Sequence, residues 1–142
     1  MSVRQIILYE LNEVPEILIN RFKKDDKLFN NQFSKFSFYK TRSYDEVENL
    51  SPWITWPTLH RGTTFKNHNI SNLGQDLKEA NKNHPPIWEK LKELGFSVGV
   101  YGSLHSNNLP ENFEDYEFYL PDPFSPHSIC KPKYLSPFQS FN

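Results

Sequence analysis

Residues 50–70, LSPWITWPTLHRGTTFKNHNI, combine hydroxyl, tryptophan and histidine side chains with a glycine that can end a helix. Ser51 or Asn49 can cap a helix that begins at Pro52, because an oxygen at the cap accepts a hydrogen bond from an unpaired backbone N–H. Gly62 can end the same helix. A hydroxyl at a helix start lies at the positive end of the helix dipole, where a phosphate or sulfate oxygen is stabilised. The segment is therefore a candidate site, although an amphipathic helix with an ordinary cap explains the same local features.

A strand, a loop and a helix are predicted near the N-terminus. Residues 5–11 form a short apolar run that is typical of a buried parallel strand, although so short a run does not exclude a helix. Apolar residues then recur at spacings of three and four, which predicts an amphipathic helix over residues 15–24, packed on that strand. Ligands of open α/β sheets bind in loops at the carboxyl ends of strands, which places Glu10, Asn12 and Glu13 at a potential site.

A helix followed by a strand is predicted further along the chain. Residues 87–94 have apolar side chains at helical spacing, and Gly95 follows as a helix stop. Residues 96–101 then have the pattern of a strand. This order is the return half of a parallel crossover, and together with the N-terminal unit it predicts an α/β sheet with helices on its faces.

The remaining segments have weaker patterns. Residues 38–44 are predicted as a strand on imperfect alternation, and residues 71–86, which are polar and rich in Asn and Lys, as a surface connection. Several prolines follow Ser103, so this C-terminal region is predicted to be extended loops that can line a cleft.

The composition argues against several classes of function. The 142 residues include 16 basic and 17 acidic side chains, and a net charge of −1 gives no field that would gather nucleic acid. The single cysteine, Cys130, cannot form an intramolecular disulfide, and no Cys/His spacing indicates a structural zinc site. No window approaches the roughly 18 apolar residues of a membrane span, and the N-terminus lacks a signal-peptide pattern. We therefore expect a cytoplasmic protein without a nucleic-acid partner or a membrane span.

The order of these blocks resembles the N-terminal part of the alkaline phosphatase superfamily, which includes sulfatases and type I phosphodiesterases. In that superfamily a hydroxyl opens a helix that ends in Thr-Gly and is followed by His-Gly-Ile, and Arg61-Gly62 and His68-Asn69-Ile70 stand in those places here. The strings LSPWITWP, IILYELNEVPEIL (residues 6–18), IWEKLKELGFSVGVYGS (residues 87–103) and PDPF (residues 121–124) resemble an uncharacterised bacterial branch of it.

The resemblance implies a partial alkaline phosphatase-like parallel sheet with helices on both faces and a loop-rich C-terminal part. It also implies that residues 1–142 are one truncated N-terminal part of that domain. The superfamily supplies a second cluster of metal ligands, an Asp-His pair and a later His, from downstream sequence. The C-terminal remainder of the domain is therefore an expected partner, and we expect no turnover by this chain alone.

Three hydroxyls are candidates for the nucleophile that the resemblance implies. Counting back ten positions from Gly62, where the family's nucleophile lies, reaches Pro52, so one inserted residue would give Ser51 this role. Thr55 lies in the helix body, where a hydroxyl usually bonds a preceding carbonyl, but its Thr-Trp-Pro string is similar to the Thr-Phe-Pro of phosphodiesterases. Ser51 and Thr55 rank equally, and Thr58 follows.

The resemblance also implies a divalent metal, Zn²⁺, Mn²⁺ or Mg²⁺, held by the first loop. The superfamily ends its first strand with an Asp ligand, and Asn12 occupies the matching position between Glu10 and Glu13. An amide oxygen can coordinate a cation but brings no charge, so a Glu from this loop would have to contribute it. Alternatively, Asn12 and Glu13 cap the helix that begins at Pro15.

The histidines and tryptophans of residues 50–70 have structural interpretations, and the tryptophans also have an alternative. His68 matches a superfamily histidine that supports loop structure, and His60 lies near a helix end, where a cationic ring suits the dipole. Trp53 and Trp56 share a helix face, which indicates core packing or, alternatively, a stacking wall for a sugar or base.

Three residues outside that segment carry weaker signals. His105 and His127 have no ligand spacing, and we expect both to be exposed to solvent. Asp122 lies in a proline-braced turn, where a carboxylate usually accepts hydrogen bonds from its own backbone.

Three functions are compatible with these residues. The first is metal-dependent hydrolysis of small phosphate or sulfate esters. The second is a catalytically inactive relative that binds a glycan or an anion, motivated by Asn12 in place of Asp and by Pro52 where a hydroxyl is expected. The third is a transferase that moves a phospho group onto surface sugars.

Overall fold

A computed structural model of the chain describes residues 5–41 and 51–139. The chain divides into two compact units, Met1–Arg42 and Ser43–Asn142. The two units are described in turn.

Two helices, α1 (Glu16–Asp25) and α2 (Lys27–Phe33), form the regular part of the first unit and pack against each other. The helix predicted over residues 15–24 is confirmed to within one residue at each end. Arg21 and Asp25, one turn apart on α1, form an exposed ion pair with an N–O distance of 3.6 Å.

The strand predicted over residues 5–11 is wrong. Residues 5–41 contain no strand, and Ile7 and Tyr9 are 77% and 79% exposed. A parallel strand is held by hydrogen bonds to a neighbouring strand, and the described part of this unit offers none. Ile17 of α1 is likewise 74% exposed, and within residues 5–41 there is no strand on which this helix could pack as predicted. Residues 38–41 are also not a strand, and the rest of that predicted strand, residues 42–44, lies outside the described residues.

Four α-helices lie within residues 51–139 of the second unit: α3 (Pro52–Arg61), α4 (Phe65–His68), α5 (Lys78–Asn83) and α6 (Ile87–Glu93). The structure confirms the predicted helices at α3 and α6. Helix α5 lies where a surface connection was predicted. Asp76 supports its start, because a carboxylate oxygen of Asp76 accepts a hydrogen bond from the Lys78 N–H at 2.9 Å.

Two parallel strands, β1 (Gly99–Tyr101) and β2 (Phe118–Leu120), form the sheet of the second unit, with Gly99 opposite Phe118. The crossover between them contains only a short 3₁₀ helix, Phe113–Asp115. β1 confirms the strand predicted over residues 96–101, although it is shorter. β2 corrects the prediction of loops throughout the C-terminal region, since three residues before a proline are too few to show a pattern. The described residues therefore form a mixed α/β structure with a small parallel sheet.

A cluster of buried side chains joins α6 to the sheet. Its members are Trp88, Val98, Val100, Tyr116 and Tyr119. Burying a large apolar side chain contributes about 1.5–3 kcal/mol, so this cluster stabilises the packing of α6 on the sheet.

Helix α6 ends in a Schellman motif built on Gly95. The Gly95 N–H donates to the Lys92 carbonyl at 2.9 Å, and the Phe96 N–H donates to the Leu91 carbonyl at 3.0 Å. Gly95 has a φ of +82°, a left-handed conformation that glycine adopts without steric cost. The predicted helix stop is confirmed, and this turn directs the chain into β1.

None of the helices within residues 5–41 and 51–139 is long and apolar enough to cross a membrane.

Candidate functional site

Ser51 is the N-cap of α3, as predicted. Its backbone is extended (φ −74°, ψ 144°), and its Oγ accepts a hydrogen bond from the Trp53 N–H at 3.3 Å. The Ser51 carbonyl accepts from the Ile54 and Thr55 N–H groups, each at 2.9 Å. The alternative cap, Asn49, lies outside the described residues. The hydroxyl of Ser51 is thus placed at the positive end of a ten-residue helix.

Gly62 ends α3, also as predicted. Gly62 is left-handed (φ +62°), and its N–H donates to the Thr58 carbonyl at 3.0 Å. Pro57 lies inside the helix and has no N–H, so it cannot donate to the Trp53 carbonyl one turn earlier. The first turn of α3 is therefore less fully hydrogen-bonded than an ordinary helix start.

Thr58 and His68 connect α3 to the loop that follows α4. His68 is buried; its Nδ1 accepts from the Ile70 N–H at 3.0 Å, and its Nε2 lies 3.0 Å from Thr58 Oγ1. Since Nδ1 accepts, the proton of a neutral ring is on Nε2, which donates to the Thr58 hydroxyl, and that hydroxyl donates to the Ile54 carbonyl at 2.9 Å. These contacts support a structural role for His68. They also engage the hydroxyl of Thr58 in two hydrogen bonds.

Asp122 organises the loops at the carboxyl ends of β1 and β2. It is fully buried; its Oδ1 accepts from the Phe124 N–H at 2.9 Å, and its Oδ2 accepts from the Asn107 N–H at 3.2 Å. Burial raises the pKa of Asp122, while the hydrogen bonds from backbone N–H groups oppose that rise. The expected bond to its own turn is confirmed, and the bond to Asn107 joins the loop after β1 to the turn after β2.

An aromatic contact brings the start of α3 to this turn. The rings of Trp53 and Phe124 meet edge to face, with centroids 5.4 Å apart and an interplanar angle of 85°. Because Phe124 lies two residues after Asp122, the hydroxyl-bearing helix start is beside the carboxyl end of the sheet. This edge is where open α/β sheets bind ligands.

Helix α3 also contacts the core further along its length. The ring of His60 stacks on Trp56, with centroids 5.6 Å apart, and meets Trp88 of α6 edge to face at 5.0 Å. These contacts favour core packing over a stacking wall for Trp56.

His105 is buried, so the prediction that it is exposed is wrong. It is 4% exposed and its φ is +64°. Burial lowers the pKa of His105 to about 4, and the positive charge of Arg61 lowers it further, whereas the Asn72 backbone raises it. The ring is therefore neutral near pH 7. A left-handed histidine in a tight turn leaves no signal in the sequence, which is why the prediction missed it.

His127 is half-buried and also departs from the expectation of exposure. Its Nε2 lies 3.1 Å from the Asn107 carbonyl, and its Nδ1 lies 3.3 Å from Ser125 Oγ. His127 therefore contacts the loop after β1, the same loop that Asp122 binds through the Asn107 N–H.

The proposed metal ligands lie in the first unit, whereas Ser51 and Thr55 lie in the second. Asn12 is exposed, and Glu13 occupies a turn with a φ of +57°. The N-cap position of α1 is Pro15, so neither Asn12 nor Glu13 occupies it. Across residues 5–41 and 51–139, no three His, Cys, Asp or Glu side chains are grouped so that they could hold a metal ion. The convergence of the first loop with the start of α3 stays a prediction.

A polar network around Arg61 was not anticipated from the sequence. Arg61 is buried; one guanidinium nitrogen donates to Asn81 Oδ1 at 2.7 Å, and another donates to the His84 carbonyl. Asn81 Nδ2 in turn lies 3.4 Å from Glu89 Oε1. Burial lowers the pKa of Arg61 to about 10 and raises that of Glu89 to about 7, and each charge partly offsets the shift of the other. This network ties α3 to α5 and α6.

Searches for a matching protein family, curated protein or solved structure found none. The described residues define a mixed α/β protein whose candidate site lies at the carboxyl end of a parallel strand pair.

Proposed function

We propose that this chain is the N-terminal part of a metal-dependent hydrolase of phosphate or sulfate esters, with an alkaline phosphatase-like fold and a cytoplasmic location. The observation that supports it most is the position of Ser51. Its hydroxyl lies at the N-cap of α3, and the contact between Trp53 and Phe124 places that helix start beside the carboxyl ends of β1 and β2.

Ser51 is the preferred nucleophile in this proposal, ahead of Thr55. Its oxygen accepts a hydrogen bond from the Trp53 N–H and lies at the positive end of the helix dipole, which can stabilise the charge of an attacked phosphoryl or sulfuryl group. The Ser51 oxygen loses its proton to solvent and forms a bond to phosphorus or sulfur while the bond to the ester oxygen breaks, and that oxygen takes up a proton from solvent and leaves as the alcohol. Water then hydrolyses the ester formed on Ser51. Thr58 is the weakest candidate, because its hydroxyl already bonds the Ile54 carbonyl and His68.

A divalent cation, Zn²⁺, Mn²⁺ or Mg²⁺, belongs to the proposal through the family resemblance. Glu10, Asn12 and Glu13 are its proposed ligands. Two carboxylates and an amide are a suitable oxygen set, but the described residues do not group three acidic, histidine or cysteine side chains at one point. We therefore assign no step of the reaction to the metal.

Ser51→Asn is the most direct test, because asparagine retains the helix cap but has no hydroxyl nucleophile. The protein made from its complete natural gene would be assayed on p-nitrophenyl phosphate, a phosphodiester and a sulfate ester with Zn²⁺, Mn²⁺ or Mg²⁺. We expect turnover to fall about 10³-fold or more with an unchanged melting temperature. Thr55→Val tests the second candidate.

Thr64→Val is the matched control, since Thr64 is exposed and its side chain makes no cap hydrogen bond. Full turnover by Ser51→Asn would show that the nucleophile is wrong. Wild-type protein that hydrolyses none of the three esters would contradict the hydrolase proposal.

Two other functions stay as proposals, and Asn12 favours the first of them, the catalytically inactive relative. An uncharged ligand would weaken a metal site, which suits an inactive relative that binds a glycan or an anion. Product analysis with a sugar acceptor would separate hydrolysis from transfer of a phospho group to surface sugars.

A further inference from the structure

The loop that follows β1 carries a histidine into the interior of the second unit. We call residues 102–107 the His105 loop. His105 and Ser106 at its centre are 4% and 1% exposed. Both Gly102 and His105 have a left-handed backbone, with φ values of +65° and +64°. The loop is therefore a tight turn that keeps an ionisable ring away from solvent.

Hydrogen bonds to the sheet and to the turn after β2 hold the backbone of this loop. The Ser106 carbonyl accepts from the Tyr119 hydroxyl at 2.9 Å, and burial raises the pKa of Tyr119, so this hydroxyl stays a neutral donor. The Asp122 carboxylate accepts from the Asn107 N–H at 3.2 Å, and the N–H groups of His105 and Ser106 also stabilise it. The loop is thus closed by contacts that fix the position of the His105 ring.

The ionisable side chains around that ring carry or can gain positive charge. They are His60 and Arg61 at the end of α3 and His68 at the end of α4, and each lowers the pKa of His105 through its charge. These three side chains are buried as well. The Asn72 backbone raises the pKa of His105, but burial of the ring is the largest effect. A proton on the ring would place one more buried positive charge in this group.

Two carboxyl groups are close to the same cluster, and neither is well suited to compensate that charge. Glu89 attracts Arg61, but burial raises the pKa of Glu89 to about 7, so acid neutralises it first. Asp122 is engaged by backbone N–H groups, and burial raises its pKa too. Acid therefore removes negative charge from this region before the His105 ring gains a positive one, and an unpaired buried charge is strongly unfavourable.

We propose that the His105 loop is a pH-sensitive switch, closed while the His105 ring is neutral and opened when the ring takes up a proton and moves into solvent. The loop is the one that Asp122 connects to the turn beside the start of α3, so its opening would loosen that edge of the sheet. The switch does not depend on ester hydrolysis and can be tested whatever the outcome for Ser51.

The expected direction follows from proton binding. Burial lowers the pKa of His105 from an ordinary 6.5 to about 4 in the closed loop, so between these values only the open loop binds the proton. Opening is therefore favoured as pH falls, by up to about tenfold per pH unit. Glu89 and Asp122, whose pKa values are raised, act in the opposite direction. The contribution of His105 is consequently measured as a difference between the wild type and a variant.

Hydrogen exchange of the loop amides in the full chain, at about pH 6.5 and about pH 4.5 and corrected for intrinsic exchange, gives the equilibrium constant for opening. His105→Asn does not titrate, and asparagine tolerates the left-handed backbone. From the higher to the lower pH, we expect this constant to increase about tenfold more in the wild type than in His105→Asn. The amides of α6 should remain protected. Equal behaviour of the two proteins, or equal loss of protection in α6, would overturn a local switch.

His84→Asn is the matched control, because His84 is half-buried and the backbone carbonyl through which it binds Arg61 is retained. Its loop should open with the pH dependence of the wild type.

A second measurement needs no variant, and it decides the question alone if His105→Asn does not fold. Ring signals of the five histidines are followed by NMR in the labelled wild-type chain as pH is lowered. The ring of His105 should stay neutral to about pH 5 for as long as the loop amides are protected. Protonation of this ring near pH 6.5 in a loop that remains protected would overturn the proposal, because the closed loop would then accept the charge.

Discussion

Glu89→Gln tests whether the burial of one carboxyl group sets the pH dependence of stability. Glu89 is half-buried in the first turn of α6, beside Asn81 and within the electrostatic reach of Arg61. Burial raises its pKa from an ordinary 4.5 to about 7, against the attraction of Arg61. Glutamine has almost the same shape and can still accept the hydrogen bond from Asn81, but it does not titrate.

The direction in which stability changes with pH follows from the number of protons that the folded and unfolded states bind. Between pH 4.5 and pH 7 the folded protein retains a proton on Glu89 that the unfolded chain has lost, so the free energy of unfolding decreases as pH rises through this window. The full pKa difference corresponds to about 3 kcal/mol, at about 1.4 kcal/mol per pH unit. Because solvent reaches part of this side chain, we expect about 1–2 kcal/mol.

Urea denaturation followed by tryptophan fluorescence measures this effect, since Trp53, Trp56 and Trp88 all lie in the second unit. Between about pH 4.5 and about pH 8, the wild type should lose about 1–2 kcal/mol more than Glu89→Gln. Glu79→Gln, which changes an exposed carboxylate of α5, should retain the wild-type dependence. Equal pH dependence in Glu89→Gln and the wild type would show that this carboxyl is not desolvated in the folded protein.

Two further predictions concern local structure, and urea denaturation checks both. Gly95→Ala should destabilise the second unit by about 1 kcal/mol, because alanine disfavours the left-handed conformation of the Schellman motif. Gly95→Asn should lose less stability, since asparagine tolerates this conformation better than alanine does. Equal stability of Gly95→Ala and the wild type would contradict the motif. His68→Ala should cost about 2–3 kcal/mol, because the buried Ile70 N–H and the Thr58 hydroxyl each lose a partner. His68→Asn supplies an oxygen near the position of Nδ1 and should recover part of that loss, and no difference between the two variants would argue against the bond to Ile70.

Two of the helices that the sequence predicted correctly, α3 and α6, have local signals at their ends. Ser51 begins α3, Gly62 ends it, and Gly95 ends α6. Each of these residues acts through hydrogen bonds to residues within four positions. Such signals are complete within a short window of sequence, so they can be recognised without knowledge of the fold.

Strand β2 and the buried polar groups depend on distant partners, and there the sequence was insufficient. β2 exists because residues 118–120 pair with residues 99–101, and the apolar run at residues 5–11 has no such neighbour among the described residues of its unit. Hydrophobicity makes a segment suitable for a strand, but pairing decides whether it becomes one. His105 and Arg61 were missed for a related reason, since their burial results from loops and helices that meet only in the folded chain.

The PDPF turn shows how a weak sequence signal can occupy a central position in the site. Taken alone, Asp122 was expected only to accept a hydrogen bond from its own turn, which it does through Phe124. Its second oxygen holds the loop after β1 through Asn107, and the ring of Phe124 meets Trp53 at the start of α3. One turn therefore links both strand ends to the helix that carries Ser51. A carboxylate that is fully buried and bound by backbone N–H groups from two loops cannot move without breaking both hydrogen bonds, so this turn holds the two loops together, and the ring of Phe124 brings the α3 start to them.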